Sequence, residues 1–335
     1  MNKLLTFSVA AFNVEDYLPK LFNTLLDIRY ADKIEVLVIN DGSGDGTARI
    51  AEDYEHRFPD TVRLVNKENG GHGSTINWGI KEAKGKYFRA LDGDDWVDCD
   101  GLYSLLTQME TTDADMILTN YYKCYQNGQV KLEKFDHLQN GKLYSFEEIA
   151  PLAKWMRYHT VIYKTAILQA NQICLDENCF YVDAEFMIYP IPYINTVAFY
   201  EYGIYCYRLG EEGQSVSPTS RMKHCAHSNT VVQSLLKMYE NLPGNVSSAK
   251  RNYIQYGIAG HCIWHFRTIM TFPPSREKKK ELKRFERQVR NRSEDIFKKM
   301  EQQGNTSQLI KAMRQSKYLL YYPIGWLKYI KNKGK

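Results

Sequence analysis

The feature that most constrains this fold is an alternation. Apolar runs of strand length recur between stretches with helical spacing: LLTFSVAAF, EDYLPKLFNTLLDI, IEVLVIN, TARIAEDYEHRF, TVRLVNK, GGHGSTINWGIKEAKG and KYFRALD follow one another from the start of the chain. Strands separated by helices predict a mostly parallel sheet covered on both faces, and in such sheets ligands gather at the carboxyl ends of the strands. Two acidic turns fall at strand ends, DGSGDGT after IEVLVIN and DGDDWVD after KYFRALD.

Beyond Asp98, GLYSLLTQMETT reads as a helix, ADMILTNYYKCY as a strand and QNGQVKLEKF as a hairpin or excursion. Residues 145–175 read as helical with a strand-like middle, HTVIYKTAIL. YVDAEFMIYPIPYI begins a helix that Pro190 and Pro192 cut short, and TVAFYEYGIYCYRL is a β-rich aromatic run. We therefore expect an α/β domain over 1–220 and a helical region over 221–335 that ends in a basic and aromatic tail.

The 335 residues, 44% hydrophobic and 25% charged, suffice for a substantial core. The opening residues read as a first strand, not a signal peptide, and no window reaches the eighteen or so apolar residues of a spanning helix, so a cytoplasmic chain is expected. Seven cysteines without a CxxC pair argue against a disulfide framework or structural zinc. His261 and His265 lie four apart on a helix without an acidic partner at metalloprotease spacing, and His72, His159, His224 and His227 complete no ligand set.

Three groups could carry chemistry. Asp41, at the end of IEVLVIN, could accept the imide N–H of a uracil, or it could serve with Ser43 to stabilise the turn. Asp92, Asp94 and Asp95 repel one another by roughly 1 kcal/mol or more per pair, which a hard divalent cation such as Mg²⁺ or Mn²⁺ bridging to a diphosphate would relieve. The alternative is an acidic turn that caps the following helix. Asp183 and Glu185 border aromatic residues, where a carboxylate could act as general base; two apart on a helix they point about 200° apart, so only one can face a site. The alternative there is charge in the first turn of a helix.

In sequence order these segments resemble family 2 glycosyltransferases of the GT-A, Rossmann-like fold, over about residues 4–217. Ala10-Ala11-Phe12-Asn13 with Glu15 is similar to the family's opening strand end, without its proline. VINDGSGDGT resembles the uridine-binding turn, ENGGHGSTINWGIKEAKGKY the segment that shapes the nucleotide pocket, and LDGDDWV the DxD segment. The resemblance implies that Ala11, Phe12, Asn13, Glu15, Asp41, Gly71, Asn77, Asp92 and Gly93 bind a nucleotide sugar and that Asp94 binds Mn²⁺ or Mg²⁺. Val182-Asp183-Ala184-Glu185-Phe186 is similar to the base segment, with valine in place of the preceding acid, which assigns the base to Asp183 with Glu185 as the fallback. YCYRLGEEGQSVS resembles a segment followed by a loop that reaches the diphosphate, making Arg221, Lys223 and His224 the contact candidates.

The implied function is metal-assisted, inverting transfer of a hexose or N-acetylhexosamine from a UDP-sugar to a glycan or lipid-linked acceptor of cell-envelope polysaccharide. A nucleotidyltransferase would favour a glycine- and lysine-rich loop after the first strand, which VAAFNVEDYLPK lacks. A non-catalytic glycan- or membrane-binding adaptor is the reading kept alive by the missing proline and acid. Net charge is +5, yet residues from Pro274 onward hold 18 Lys and Arg against 6 Asp and Glu, +12 locally, leaving −7 before them. With Tyr318, Tyr321, Tyr322, Trp326 and Tyr329, this tail fits peripheral contact with an anionic membrane at its inner face. Nucleic acid is not expected, because the aromatics concentrate in YLLYYPIGWL instead of interleaving with the basic positions; the reading allows a homo-oligomer.

Overall fold

A computed structural model describes residues 3–152, 156–210 and 217–333. The chain divides into two compact units, Met1–Glu211 and Glu212–Lys335, so the first closes before the expected boundary at 220.

The first unit is built on one ten-stranded sheet. Its strands are β1 (Leu5–Ala11), β2 (Ile34–Asp41), β3 (Val62–Lys67), β4 (Tyr87–Asp92), β5 (Trp96–Val97), β6 (Met116–Tyr125), β7 (Val130–Glu133), β8 (Leu143–Ser145), β9 (Val161–Lys164) and β10 (Thr196–Leu209). The order β3-β2-β1-β4-β9-β6-β10-β5 has β7 beside β6 and β8 beside β10. β1, β2, β3, β4, β6 and β10 run in one direction, which makes the sheet mostly parallel, while β9 lies antiparallel between β4 and β6. Every residue of β2 is buried, as both faces of a central parallel strand must be. The segment QNGQVKLEKF forms the hairpin β6–β7.

Helices α1 (Leu18–Leu25), α2 (Thr47–Arg57), α3 (Gly71–Glu82), α4 (Cys99–Met109), α5 (Phe146–Ile149), α6 (Thr165–Ala170) and α7 (Asp183–Ile188) link these strands. α1 buries Leu18, Leu21, Phe22 and Leu25, one stripe at helical spacing, and a proline opens its first turn. α4 begins where the Asp98 carboxylate accepts Gly101 N at 2.8 Å, so Asp98, and not the DGDD run, supplies the cap.

The second unit holds α8 (Pro218–Lys223), α9 (Cys225–Glu240), α10 (Ser248–Ile269), α11 (Arg276–Arg292), α12 (Glu294–Lys299), α13 (Ser307–Gln315) and α14 (Tyr321–Lys333). Its core runs through Val232, Leu235, Ile258, Cys262, Phe266 and Leu282. No described helix is long and apolar enough to cross a membrane.

Candidate active site

Register brings the acidic turns to one edge. Ala11 pairs with Asn40 across β1 and β2, and Ala10 with Asp92 across β1 and β4, so the carboxyl ends of the three strands lie side by side. Gly93 N donates to Ala10 O at 2.9 Å, and a side chain at Gly93 would bring Cβ within 2.7 Å of that oxygen. Only glycine allows this approach.

At the β2 end, Asp41 is buried and its carboxylate is already well supplied with donors. Oδ1 accepts from Lys67 Nζ at 2.6 Å, Gly70 N at 2.9 Å and Ser74 Oγ at 3.3 Å; Oδ2 accepts from Gly71 N at 2.8 Å. The carboxylate thus pins the start of α3, and Oδ2 keeps the remaining acceptor capacity. Asn13 and Glu15, expected to contact nucleotide, are tied to the loop after β2: Asn13 Oδ1 accepts Gly44 N at 2.9 Å and Glu15 Oε2 accepts Gly46 N at 2.7 Å. Phe12 is half exposed beside them.

Asn77 requires a correction. Its amide accepts Leu175 N at 2.8 Å and donates to Leu175 O at 3.0 Å and Glu177 Oε1 at 3.2 Å, because an amide matches the N–H and C=O of an extended residue. The side chain clasps the loop before α7 and is not turned to a ligand.

The β4 turn is different in kind. Asp92, Asp94 and Asp95 bring oxygen atoms within 4.8 Å of one another. Asp95 is buried, accepting Tyr205 OH and Arg208 N, each at 2.7 Å. Burial, then repulsion from Asp92 and Asp94, holds its carboxyl well above the usual range. Asp92 accepts Tyr158 OH at 3.2 Å and is raised by burial, with His72 opposing and Asp94 and Asp183 adding to the shift. Asp94 is the most open of the three, paired with Arg208 Nη2 at 3.2 Å. A cleft of about 180 Å³ borders it, lined by Tyr17, Lys20, Trp96, Gln126 and Arg208 among others. Three hard oxygen donors with only one guanidinium between them suit a divalent cation.

Asp183 and Glu185 separate cleanly. Asp183 is exposed at the first residue of α7, close enough for its charge to act on Asp92, Tyr158 and Tyr207. Glu185 is wholly buried, its Oε2 accepts Asp176 N at 2.8 Å, and burial pushes its carboxyl up to about 8. A group closed off from solvent cannot meet an acceptor hydroxyl, so Glu185 drops out as the fallback base and becomes a support for the loop at Asp176.

Several residues at this edge have no sequence signal of their own. His72 Nε2 lies 3.7 Å from Asp92 Oδ1 and 3.4 Å from Tyr158 OH, one residue after the Gly71 N–H that Asp41 accepts. Tyr158 is delivered by a 3-10 turn, Tyr158–Thr160, whose His159 carbonyl accepts the guanidinium of the fully buried Arg89. His159 stacks on Tyr121 and Tyr207, and burial lowers its imidazole to about 3, leaving it neutral. β5 pairs Trp96 with Cys206 and Val97 with Tyr205, which explains how β10 delivers Tyr205 and Arg208 to the turn. The aromatic spacing in IYCYRL was the available hint.

The diphosphate candidates belong to the second unit. Arg221 is buried there, its guanidinium 4.2 Å from the Trp264 ring and bonded to Thr268 Oγ1 at 3.0 Å, so its packing does not support the expected role. Lys223 is exposed and His224 half-buried. Residues 211–216 of the YR segment lie outside the described residues.

A mostly parallel sheet with an acidic turn at its carboxyl edge defines a GT-A-like transferase fold. Residues 6–163, just under half of the chain, match the family model described as glycosyl transferase family 2. EpsJ of Bacillus subtilis, a glycosyltransferase by name, is 26% identical over 271 residues, 78% of this chain and 73% of that protein. The minor teichoic acid biosynthesis protein GgaB of the same organism is 25% identical, over 76% of this chain and 28% of its own length. The chain spans 32% of the length of EpsH and 17% of GlyA, further glycosyltransferases. Among solved structures, Staphylococcus aureus TarS 1–349 in complex with UDP-GlcNAc superposes with a TM-score of 0.67 at 16% identity, covering 99% of this chain and 92% of that one. The family match and the relatives named as glycosyltransferases support glycosyltransferase over nucleotidyltransferase.

Proposed function

We propose that this chain moves a hexose or N-acetylhexosamine from a UDP-sugar to a hydroxyl of a glycan or lipid-linked acceptor, with inversion at C1 and with Mn²⁺ or Mg²⁺ at the Asp92–Asp95 turn. The observation that carries the proposal is a like-charged turn, with Asp95 buried and Asp94 its most open member, within reach of the charge of the exposed Asp183. Asp94, with Asp92, would hold the cation, which when bound supplies charge neutralisation for the departing diphosphate. His72 and Tyr158 hold Asp92 in place.

Asp183 takes the proton of the acceptor hydroxyl as its oxygen bonds to C1; the bond from C1 to the phosphate oxygen breaks, and UDP leaves with that electron pair. Attack in line with the leaving group turns an α-linked donor into a β-linked product. Gly71, Gly93 and Ala11 form the backbone floor for the nucleotide, Phe12 offers a ring for the base, and Asp41 Oδ2 offers an acceptor for the uracil imide. TarS solved with UDP-GlcNAc and with UDP supports the donor class, and a mannosyltransferase from Pyrobaculum calidifontis solved with GDP-Man and Mn²⁺ supports the cation. GgaB supports a cell-surface acceptor, which a protein at the inner face of the membrane would meet.

The test is transfer and hydrolysis of a UDP-sugar panel with Mn²⁺ by wild type, Asp94→Ala and Asp183→Asn. Both variants should lose turnover, and the product should carry the β-anomeric proton signal. Wild-type turnover in both variants would remove this mechanism.

A further inference from the structure

Helix α14 is built inside out. Tyr322, Trp326, Leu327 and Ile330 share one face at spacings of four, five and eight residues and are 38%, 48%, 70% and 65% exposed. The opposite side buries Tyr321 and Gly325, and a side chain at Gly325 would bring Cβ within 2.7 Å of Pro274 Cγ. Glycine therefore seats the helix on the side that also carries the half-buried Lys328, while its large apolar groups point outward. Leu319, 76% exposed, extends the same patch at the turn before the helix. Among the described residues, six of the fourteen exposed large apolar side chains fall between 319 and 330. Such a concentration on a protein surface marks an interaction site.

Basic residues of α11 border the patch. Lys279 Nζ lies 5.1 Å from the Tyr322 ring and Lys283 Nζ 5.1 Å from the Tyr318 ring. Arg276, Lys280, Lys283 and Arg287 repeat along one exposed face of α11. A protein partner would ask for matched pockets; an apolar ridge of Trp, Leu and Ile with tyrosines at its edge and ammonium groups beside them has the layering of a bilayer interface, acyl chains first, headgroups next and phosphates outermost.

We propose that α14, with the basic face of α11 as its flank, docks this chain onto an anionic bilayer, with Trp326, Leu327 and Ile330 below the headgroups and Lys279 and Lys283 at the lipid phosphates. The proposal deepens the peripheral placement suggested for the acceptor but stands apart from the chemistry, because lipid binding needs neither donor nor metal.

The test is co-sedimentation of the full chain with phosphatidylcholine vesicles and with vesicles containing phosphatidylglycerol. The anionic vesicles should bind at least tenfold better, and 0.5 M NaCl should weaken the binding. Leu327→Asp should lose binding at least tenfold, and Lys279→Glu/Lys283→Glu should remove the preference for anionic lipid. Far-ultraviolet circular dichroism and UDP titration of each variant separate loss of docking from loss of fold. Equal binding by Leu327→Asp, or none by wild type, would overturn the proposal. So would a wild-type dimer in sedimentation velocity that Leu327→Asp dissociates without any vesicle binding, which would assign the face to a second copy of the chain.

Discussion

Asp41 and Asp95 are both buried carboxylates at the carboxyl edge of the same sheet, two strands apart, and their surroundings are opposite. Asp41 meets an ammonium, two backbone N–H groups and a hydroxyl. Asp95 meets one hydroxyl and one backbone N–H, with Asp92 and Asp94 alongside. A carboxylate supplied by its own chain is scaffold; one left with raised proton affinity and like-charged neighbours is prepared for a cation from outside. Burial is alike in the two, so the donors and the neighbouring charges separate them.

The largest effect should come from the cation-deficient side. Asp94→Ala should cut transfer by roughly 10³-fold, the equivalent of several kcal/mol of lost charge stabilisation, while leaving the unfolding midpoint in urea nearly unchanged. Asp183→Asn should lower kcat by about 10²–10⁴-fold with donor binding intact, checked by titration of UDP-sugar. Asp41→Ala should instead cost stability together with donor affinity. It removes the carboxylate partner of the Lys67 ammonium, 12% exposed, and the acceptor of the Gly70 and Gly71 N–H groups, and should cost about 3–5 kcal/mol in urea unfolding. A large activity loss in Asp41→Ala without a stability loss would break the comparison.

A further effect, about 1.4 kcal/mol for each pH unit, concerns pH. The Glu185 carboxyl sits near 8 in the fold against 4.5 for a free glutamate, so the folded state holds a proton that the unfolded chain releases. Its contribution is complete below about 4.5 and is lost as pH rises through about 8, at roughly 1.4 kcal/mol per pH unit inside that window. Glu185→Gln should flatten the slope in thermal melts between pH 5 and 8. An unchanged slope would show that some other group carries it.

Much of this was legible in the sequence for a physical reason. Alternating strand and helix patterns report burial directly, so TVAFYEYGIYCYRL coincides with β10, and the acidic turns fall at strand ends as their positions implied. The 200° between Asp183 and Glu185 followed from helix geometry, but which of them faces outward depended on what packs against α7. Arg89 and Tyr158 were invisible because each reads locally as an ordinary strand or turn residue, and the YCYRL segment that holds Tyr205 did not say what it meets. Their importance arises from pairings such as β5 with β10, which join segments about a hundred residues apart. Asn77 misled because an amide suited to a nucleotide suits the Leu175 backbone equally well.

The proposal requires that the Asp92–Asp95 turn bind a cation that the Asp41 corner does not need. Calorimetric titration of UDP into wild type and Asp94→Ala, each with and without Mn²⁺, tests this directly. Tight binding to wild type only when Mn²⁺ is present, and loss of that dependence in Asp94→Ala, is the predicted result. Binding of UDP to wild type that is indifferent to Mn²⁺ would contradict it.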